Sequence, residues 1–236
     1  MHCAYLPDYF TGDTAELPDV EIHHLLHVLR ADIGTKIRFS NGKGLTGNAD
    51  ITLLNKKQGH IHITDATHHQ RLSPSLHIGV ALLHNSDRMA FLMEKLTELG
   101  VDRITPLLTS NTERRHFKRD KELSHMVAAL KQSAQPFLPQ LDDVVQFLQW
   151  LPQVSKTADR RIAHCRKTGM IPLAKTCSEN AICIAIGPEG DFSEAEVAAA
   201  IDHGFIEVSL GNEVLRAETA AMSAVMTIKT WRTLHA

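Results

Sequence analysis

The stretch Ala181–Gly190 reads AICIAIGPEG, an unbroken apolar run that stops at Gly-Pro-Glu-Gly. A short apolar run bounded by Gly and Pro marks a strand buried on both faces, which belongs in a parallel sheet with covered faces. Gly187 and Gly190 lack a Cβ, so they admit positive φ and close backbone approach, while Pro188 fixes its own φ and offers no amide donor. Further on, Ile206–Leu210 reads as a second short strand, followed by Gly211, Leu215-Arg216 and a helix rich in Ala and Met from near Ala217–Thr219. Glu218 falls in the first turn of that helix, where a carboxylate suits the dipole. Open α/β sheets bind ligands at the C-terminal ends of strands. Two glycine loops in such places mark either a ligand site of unspecified kind or two ordinary strand-to-helix turns.

At 236 residues the chain suits one large domain or two small ones. The period of the apolar pattern decides for two. Over residues 1–70 the pattern is that of strands. TKIRFS at Thr35–Ser40 alternates, Asn41-Gly42 signals a hairpin, and Gly44–Leu54 and His60–Thr64 continue the alternation around a polar turn at Asn55–Gly59. Glu21–Arg30 is the one helical interruption. Short strands with this punctuation predict a small barrel. The polar, proline-containing segment 67–75 (THHQRLSPS) is the expected linker, so the second domain begins near Leu76 and extends through the rest of the 71–236 region.

From Leu76 the period changes. Leu76–Leu83 is a buried-type strand. A helix is expected over Arg88–Leu99, N-capped by Ser86-Asp87, with Met89, Leu92, Met93, Leu96 and Leu99 facing the core and Gly100 at C′. Arg103–Leu108 is the next strand, completing a βαβ unit and predicting a parallel sheet. Helices are expected over Glu122–Gln135 and Leu141–Leu151, and a strand over Arg161–Cys165. Ser193 followed by Glu196 forms a capping box that opens a helix over Glu194–His203.

Net charge is −2, so any nucleic-acid footprint must be local rather than global. The densest basic run is Arg114, Arg115, Lys118, Arg119 and Lys121, which follows a strand's C-terminal end. It is either a phosphate grip or a solvated helix start. Four cysteines without CxxC spacing read as reduced thiols in a cytoplasmic protein. No basic-then-apolar leader and no membrane-length apolar run stands in the sequence. Among 15 histidines, His23 and His27 of HHLLH stand at i and i+4, a spacing that can hold zinc. With no third-ligand cluster evident, a short helix with exposed histidines is the simpler reading, and no metal is expected.

The words IGPEGDFSEAEV and SLGNEVLRAETAAMSAV, with MEKLTELGVDRITPLLTSNTERR upstream, resemble the SPOUT-class methyltransferases, and within them the RsmE family. HHLLHVLRADIGTKIRFSNGKG follows the same family's N-terminal pattern. The resemblance covers nearly the whole chain and is poorest over residues 120–180. It implies an α/β fold, with a parallel-sheet SPOUT domain tied in a trefoil knot and an N-terminal PUA-like β-barrel that helps to hold RNA. It implies transfer of a methyl group from S-adenosylmethionine to N3 of a uridine in 16S ribosomal RNA of the small subunit, by a homodimer.

On that resemblance the cofactor-binding residues are Ile186, Gly187, Pro188, Glu189, Gly190, Leu210, Gly211, Val214, Leu215, Thr219 and Ala220. RNA contacts fall on Arg30 and Gln132 by the same resemblance, and on Arg114, Arg115 and Lys118 if the basic run is a phosphate grip. Arg216 cannot be a base, because a guanidinium stays protonated; it is suited to the developing uracil oxyanion or to a phosphate. Glu189 and Glu218 are the carboxylates available beside the loops. Two departures stand out. Lys131-Gln132-Ser133-Ala134-Gln135 replaces the family's Glu-Gln-Cys-Gly-Arg, and Asp191 stands where the family more often has Gly. The competing readings are a SPOUT-type 2′-O-ribose methyltransferase and a non-catalytic RNA-binding ribosome-assembly factor. No early GxGxxG supports a dinucleotide enzyme.

Overall fold

The computed structural model describes residues 2–71 and 74–235 and divides into two compact units, residues 1–71 with 127–138, and residues 72–126 with 139–236. Leu72 and Ser73, within the expected linker, lie outside the described residues. The first part of that linker is strand instead, because the last strand of the first unit runs on to His68.

The first unit holds β1 (Cys3–Tyr5), β2 (Thr14–Glu16), α1 (Asp19–His23), β3 (Lys36–Ser40), β4 (Leu45–Leu54) and β5 (Gly59–His68). They form a curled five-stranded sheet in the order β1-β3-β4-β5-β2. Its core is aliphatic, built on Leu17, Ile22, Leu25, Ile37, Ile51 and Ile61 around Phe39. The β3–β4 turn is where Asn41-Gly42 signals it. Asn41 Oδ1 accepts from the Lys43 and Leu45 amides at 2.8 and 3.0 Å, and Gly42 has φ 68°. The expected helix over Glu21–Arg30 is not continuous: α1 passes into a π-helical turn at His24–Val28. It ends as Arg30 swings to φ 50° and the Ala31 amide bonds back to the Leu25 carbonyl. Buried Glu21 accepts from Lys131 Nζ at 2.8 Å on both oxygens, so this carboxylate is buried with its cation.

The second unit holds β6 (Leu76–Ala81), α2 (Ser86–Glu98), β7 (Arg103–Leu108), β8 (Gln140–Leu141), β9 (Val145–Gln146), α4 (Phe147–Trp150), β10 (Asp159–Ala163), β11 (Ile171–Pro172), β12 (Ile182–Ile186), α5 (Glu194–Asp202), β13 (Ile206–Ser209) and α6 (Ala217–His235). The remaining helix, α3 (Arg119–Ser133), begins in this unit and ends in the first. The sheet is parallel throughout, in the order β11-β13-β10-β12-β6-β7-β8, with β9 also on β7. Every residue of β12 is buried, as an apolar run between two covered faces requires.

Three expectations, two for helices and one for a strand, need correction. Asn85, not Ser86 or Asp87, caps α2: its side chain accepts from the Asp87 and Arg88 amides at 2.7 and 3.2 Å. The helix expected over Leu141–Leu151 shrinks to α4 and a 3₁₀ turn at Leu151–Gln153, because residues 140–141 and 145–146 are recruited as edge strands on β7. The strand expected at Arg161–Cys165 spans Asp159–Ala163 instead, leaving Cys165 in the loop beyond it. Gly79, inside β6, has a packing reason: the Trp150 ring lies across it, and a Cβ there would stand 2.5 Å from the ring. The expected Gly100 C′ residue and the Ser193–Glu196 capping box are both present.

Candidate functional site

A cleft of about 970 Å³ opens over the C-terminal ends of the adjacent strands β13, β10 and β12. Its walls are three loops and two helix starts. The Ile186–Glu189 stretch with Asp191 follows β12, Ser209–Arg216 follows β13, and Ala163–Cys165 with Lys167–Met170 follows β10. Arg88 enters from the first turn of α2, and Ala217 and Ala220 from α6.

Of the expected cofactor residues, Ile186, Gly187, Pro188, Glu189, Leu210, Gly211, Val214, Leu215 and Ala220 line this cleft together; Gly190 and Thr219 lie beside it without lining it. Glycine serves here by close approach rather than by positive φ. A Cβ on Gly187 would stand 3.2 Å from the Phe192 ring, and one on Gly190 would stand 3.2 Å from Asn111 Cβ. The positive φ expected of this loop falls instead on Asp191, at 59°. On the opposite wall Gly211 does have a positive φ, 140°.

The electrostatic centre of the cleft is Arg88, which sequence reasoning did not single out. Its Nη1 donates to Glu189 Oε1 at 3.1 Å and its Nε to Glu218 Oε1 at 3.0 Å, while Nη2 pairs with Glu218 Oε2. One guanidinium therefore joins the glycine loop after β12 to the start of α6. The fork geometry of arginine suits this bidentate grip. Burial pushes the Glu218 carboxyl up, but the hydrogen bond from Arg88, its own amide and the charges of Arg88 and Arg216 outweigh that and hold it below the ordinary value. Both Glu218 oxygens are occupied, so Glu218 is a buried anchor and a poor proton acceptor. Glu189 takes its contacts from Arg88 and from the His84 amide, at 3.3 Å, on Oε1 alone. Arg216 is exposed, and its side chain makes no hydrogen bond to any described residue. The two arginines of the cleft thus differ in kind: one is committed to structure and the other is free to meet a ligand.

The third wall also escaped sequence reasoning, because residues 163–170 carry no glycine-turn wording next to their strand. His164 is buried, with Nε2 at 3.0 Å from Glu207 Oε1 and Nδ1 accepting from the Arg166 amide at 3.2 Å. Lys167 pairs with Glu207 at Oε2 and, ahead of the cost of burial, holds that carboxyl below its ordinary range. Behind the glycine loop, Glu196 accepts from the Ser110 amide and hydroxyl at 2.8 and 2.7 Å while completing its capping box. Asn111 Nδ2 donates to the Gly190 and Asp191 carbonyls, each at 2.9 Å.

Among the expected RNA residues, Arg114, Arg115 and Lys118 follow one another on the irregular segment between β7 and α3, with Arg115 and Lys118 exposed. Arg30 and Gln132, both exposed, belong to the other compact unit. Among the described residues no group of three His, Cys, Asp or Glu is arranged to hold a metal ion, and no helix is long and apolar enough to cross a membrane. The His23 and His27 rings lie 4.7 Å apart between centroids, tilted by 47°.

A family model described as an RNA methyltransferase domain matches residues 71–229, and one described as an RNA methyltransferase PUA domain matches residues 17–64. The crystal structure of a ribosomal RNA small subunit methyltransferase E from Neisseria gonorrhoeae, bound to S-adenosyl methionine, matches with a TM-score of 0.86 and 28% identity, covering 98% of this chain and 97% of that one. A structure described as a probable rRNA-methyltransferase from Porphyromonas gingivalis matches with a TM-score of 0.90 and 31% identity over 100% of both chains. The ribosomal RNA small subunit methyltransferase E of Rickettsia conorii is 23% identical over 213 residues, 89% of this chain and 87% of that protein.

Proposed function

Because the chain belongs to the RsmE family of RNA methyltransferases, we propose that it transfers a methyl group from S-adenosylmethionine to N3 of a uridine in 16S ribosomal RNA of the small subunit. The observation that carries this reading is the convergence of residues 186–189 and 209–216 on one cleft that also holds an unpaired arginine. The cleft fits the cofactor. Glycine backbone stands where a Cβ would crowd the loop, Ile186, Leu210 and Leu215 offer apolar surface, and about 970 Å³ accommodates a nucleoside with an amino-acid arm.

When bound, S-adenosylmethionine supplies an already activated methyl carbon. The chain's own residues then have three tasks: to align, to exclude water and to manage charge. Arg88 holds Glu189 and Glu218, and through them fixes two walls of the cleft. Arg216, exposed and unpaired, stabilises the oxyanion that develops on uracil as the N3 proton leaves. Glu189, with both contacts on one oxygen, is better suited than Glu218 to receive that proton. Arg114, Arg115, Lys118, Arg30 and Gln132 supply RNA contacts. On the family resemblance the enzyme acts in the cytoplasm as a homodimer, with its glycine loops drawn through a trefoil knot.

The test is methyl transfer to small subunits that lack this modification, with mass spectrometry of the released nucleosides. 3-Methyluridine supports the reading. A methyl group on ribose moves the protein to the 2′-O class. Cofactor binding without transfer leaves an RNA-binding assembly factor.

A further inference from the structure

Asp191 occupies a conformation that an aspartate does not choose freely. Its φ of 59° lies in the left-handed region, where a side chain is tolerated mainly if it bonds locally. The Asp191 carboxylate does bond locally: Oδ1 accepts from the next amide, Phe192 N, at 2.8 Å. The backbone turn beneath it is closed by the Asp191 amide on the Pro188 carbonyl at 3.0 Å. These contacts explain how aspartate survives here, but they leave Oδ2 unexplained. Oδ2 accepts from the amide of Cys165 at 2.9 Å, across 26 positions of sequence.

Cys165 opens the β10–β11 loop, which forms the third wall of the cleft. The neighbouring ties of that loop are Arg166 on the Phe192 carbonyl and Lys167 on Glu207. Among the described residues, only the Asp191–Cys165 bond joins this wall to the loop after β12 through a side chain of that loop. A glycine at 191 would take the same φ without strain and would have no such reach.

We propose that Asp191 is a positioning residue for the cofactor: its carboxylate latches the β10–β11 loop to the loop after β12 and so sets the width of the cleft. This rests on the cofactor reading above. It also gives a physical role to the departure from glycine at this position. The latch acts through another segment of chain, so it shapes the site without entering the chemistry.

The experiment compares wild type, Asp191→Gly and Asp191→Asn by calorimetric binding of S-adenosylmethionine, by KM and kcat, and by hydrogen exchange at the Cys165 amide. Asp191→Gly removes both bonds but relieves the backbone, so it should fold at least as well as wild type. Its cofactor Kd should rise roughly tenfold, the scale of one charge-assisted hydrogen bond. KM for the cofactor should rise by a larger factor than kcat falls, and the Cys165 amide should exchange faster even without cofactor. Asp191→Asn keeps the left-handed backbone and one acceptor, so it should fall between the two. Equal affinity and equal Cys165 protection in Asp191→Gly would overturn the latch while leaving the cofactor reading intact. Wild type that fails to bind S-adenosylmethionine would overturn both.

Discussion

The two ends of the parallel sheet are built in opposite ways. At the N-terminal end, β6, β7 and β12 bring His77, Thr105 and Cys183 into one chain of hydrogen bonds. Cys183 Sγ lies 3.4 Å from His77 Nδ1, His77 Nε2 lies 2.7 Å from Thr105 Oγ1, and Thr105 donates to Asp142 Oδ2. That order assigns the tautomer: the Thr105 hydroxyl is spent on Asp142, so His77 donates from Nε2 and accepts the thiol at Nδ1. Each member is partnered within the network, and Trp150 covers the imidazole edge-on at 5.6 Å. At the C-terminal end, Arg216 is free, Val214 is 85% exposed and Asp191 holds a left-handed backbone. A satisfied polar network lends rigidity; unsatisfied and strained groups lend function. The same sheet carries both because its two edges are separated by the length of a strand.

Substitutions at the two ends should therefore report differently. The largest effect belongs to the C-terminal end: Arg216→Ala should lower kcat by about 10²- to 10³-fold, as loss of an oxyanion donor does, with unfolding free energy nearly unchanged. Rate assays beside denaturation curves decide it, and a large stability loss would break the contrast.

The next effect belongs to the N-terminal end and depends on pH. Burial, helped by the Arg103 charge and opposed by Asp142, lowers the His77 pKa from 6.5 to about 4. The folded imidazole stays neutral where the unfolded one protonates, so stability should fall as pH drops from 6.5 toward about 4. Below about 4 both states are protonated and the slope ends. The total is on the order of 3 kcal/mol, and His77→Gln should flatten that part of the curve in urea titrations.

Arg88→Ala tests the place where the two behaviours meet. It leaves the buried Glu218 without its cation, so it should cost about 2 kcal/mol of stability and also weaken cofactor binding. Adding Glu218→Gln should restore part of the stability and little of the binding. The smallest expected effect is Ser193→Ala, which removes the hydroxyl of the capping box that opens α5. It should cost about 1 kcal/mol, measurable as a shift of the denaturation midpoint.

Much of this was legible in the chain because local chemistry spoke plainly. Ala181–Gly190 announced a doubly buried strand, Asn41-Gly42 a hairpin and Ser193 with Glu196 a capped helix, and each stands where it was expected. Leu141–Leu151 misled because its mixed spacing of apolar and polar residues suits a helix as well as short edge strands followed by a helical turn; pairing with β7 decided it. Arg88 is inconspicuous in the sequence because a charged residue in a helix's first turn has an ordinary solvent-facing explanation. Only its two carboxylate partners, 101 and 130 positions away, reveal otherwise.

The sequence by itself determined the period of each segment, the glycines and the caps, since those depend on a residue and its near neighbours. It also carried the family wording, and with it the cofactor. The tertiary structure alone decided which carboxylate is held by one oxygen and which is clamped by both, which loop forms the third wall and what Asp191 holds. Those outcomes depend on side chains meeting across more than twenty positions of chain, and such meetings exist only once β10, β12 and β13 lie side by side.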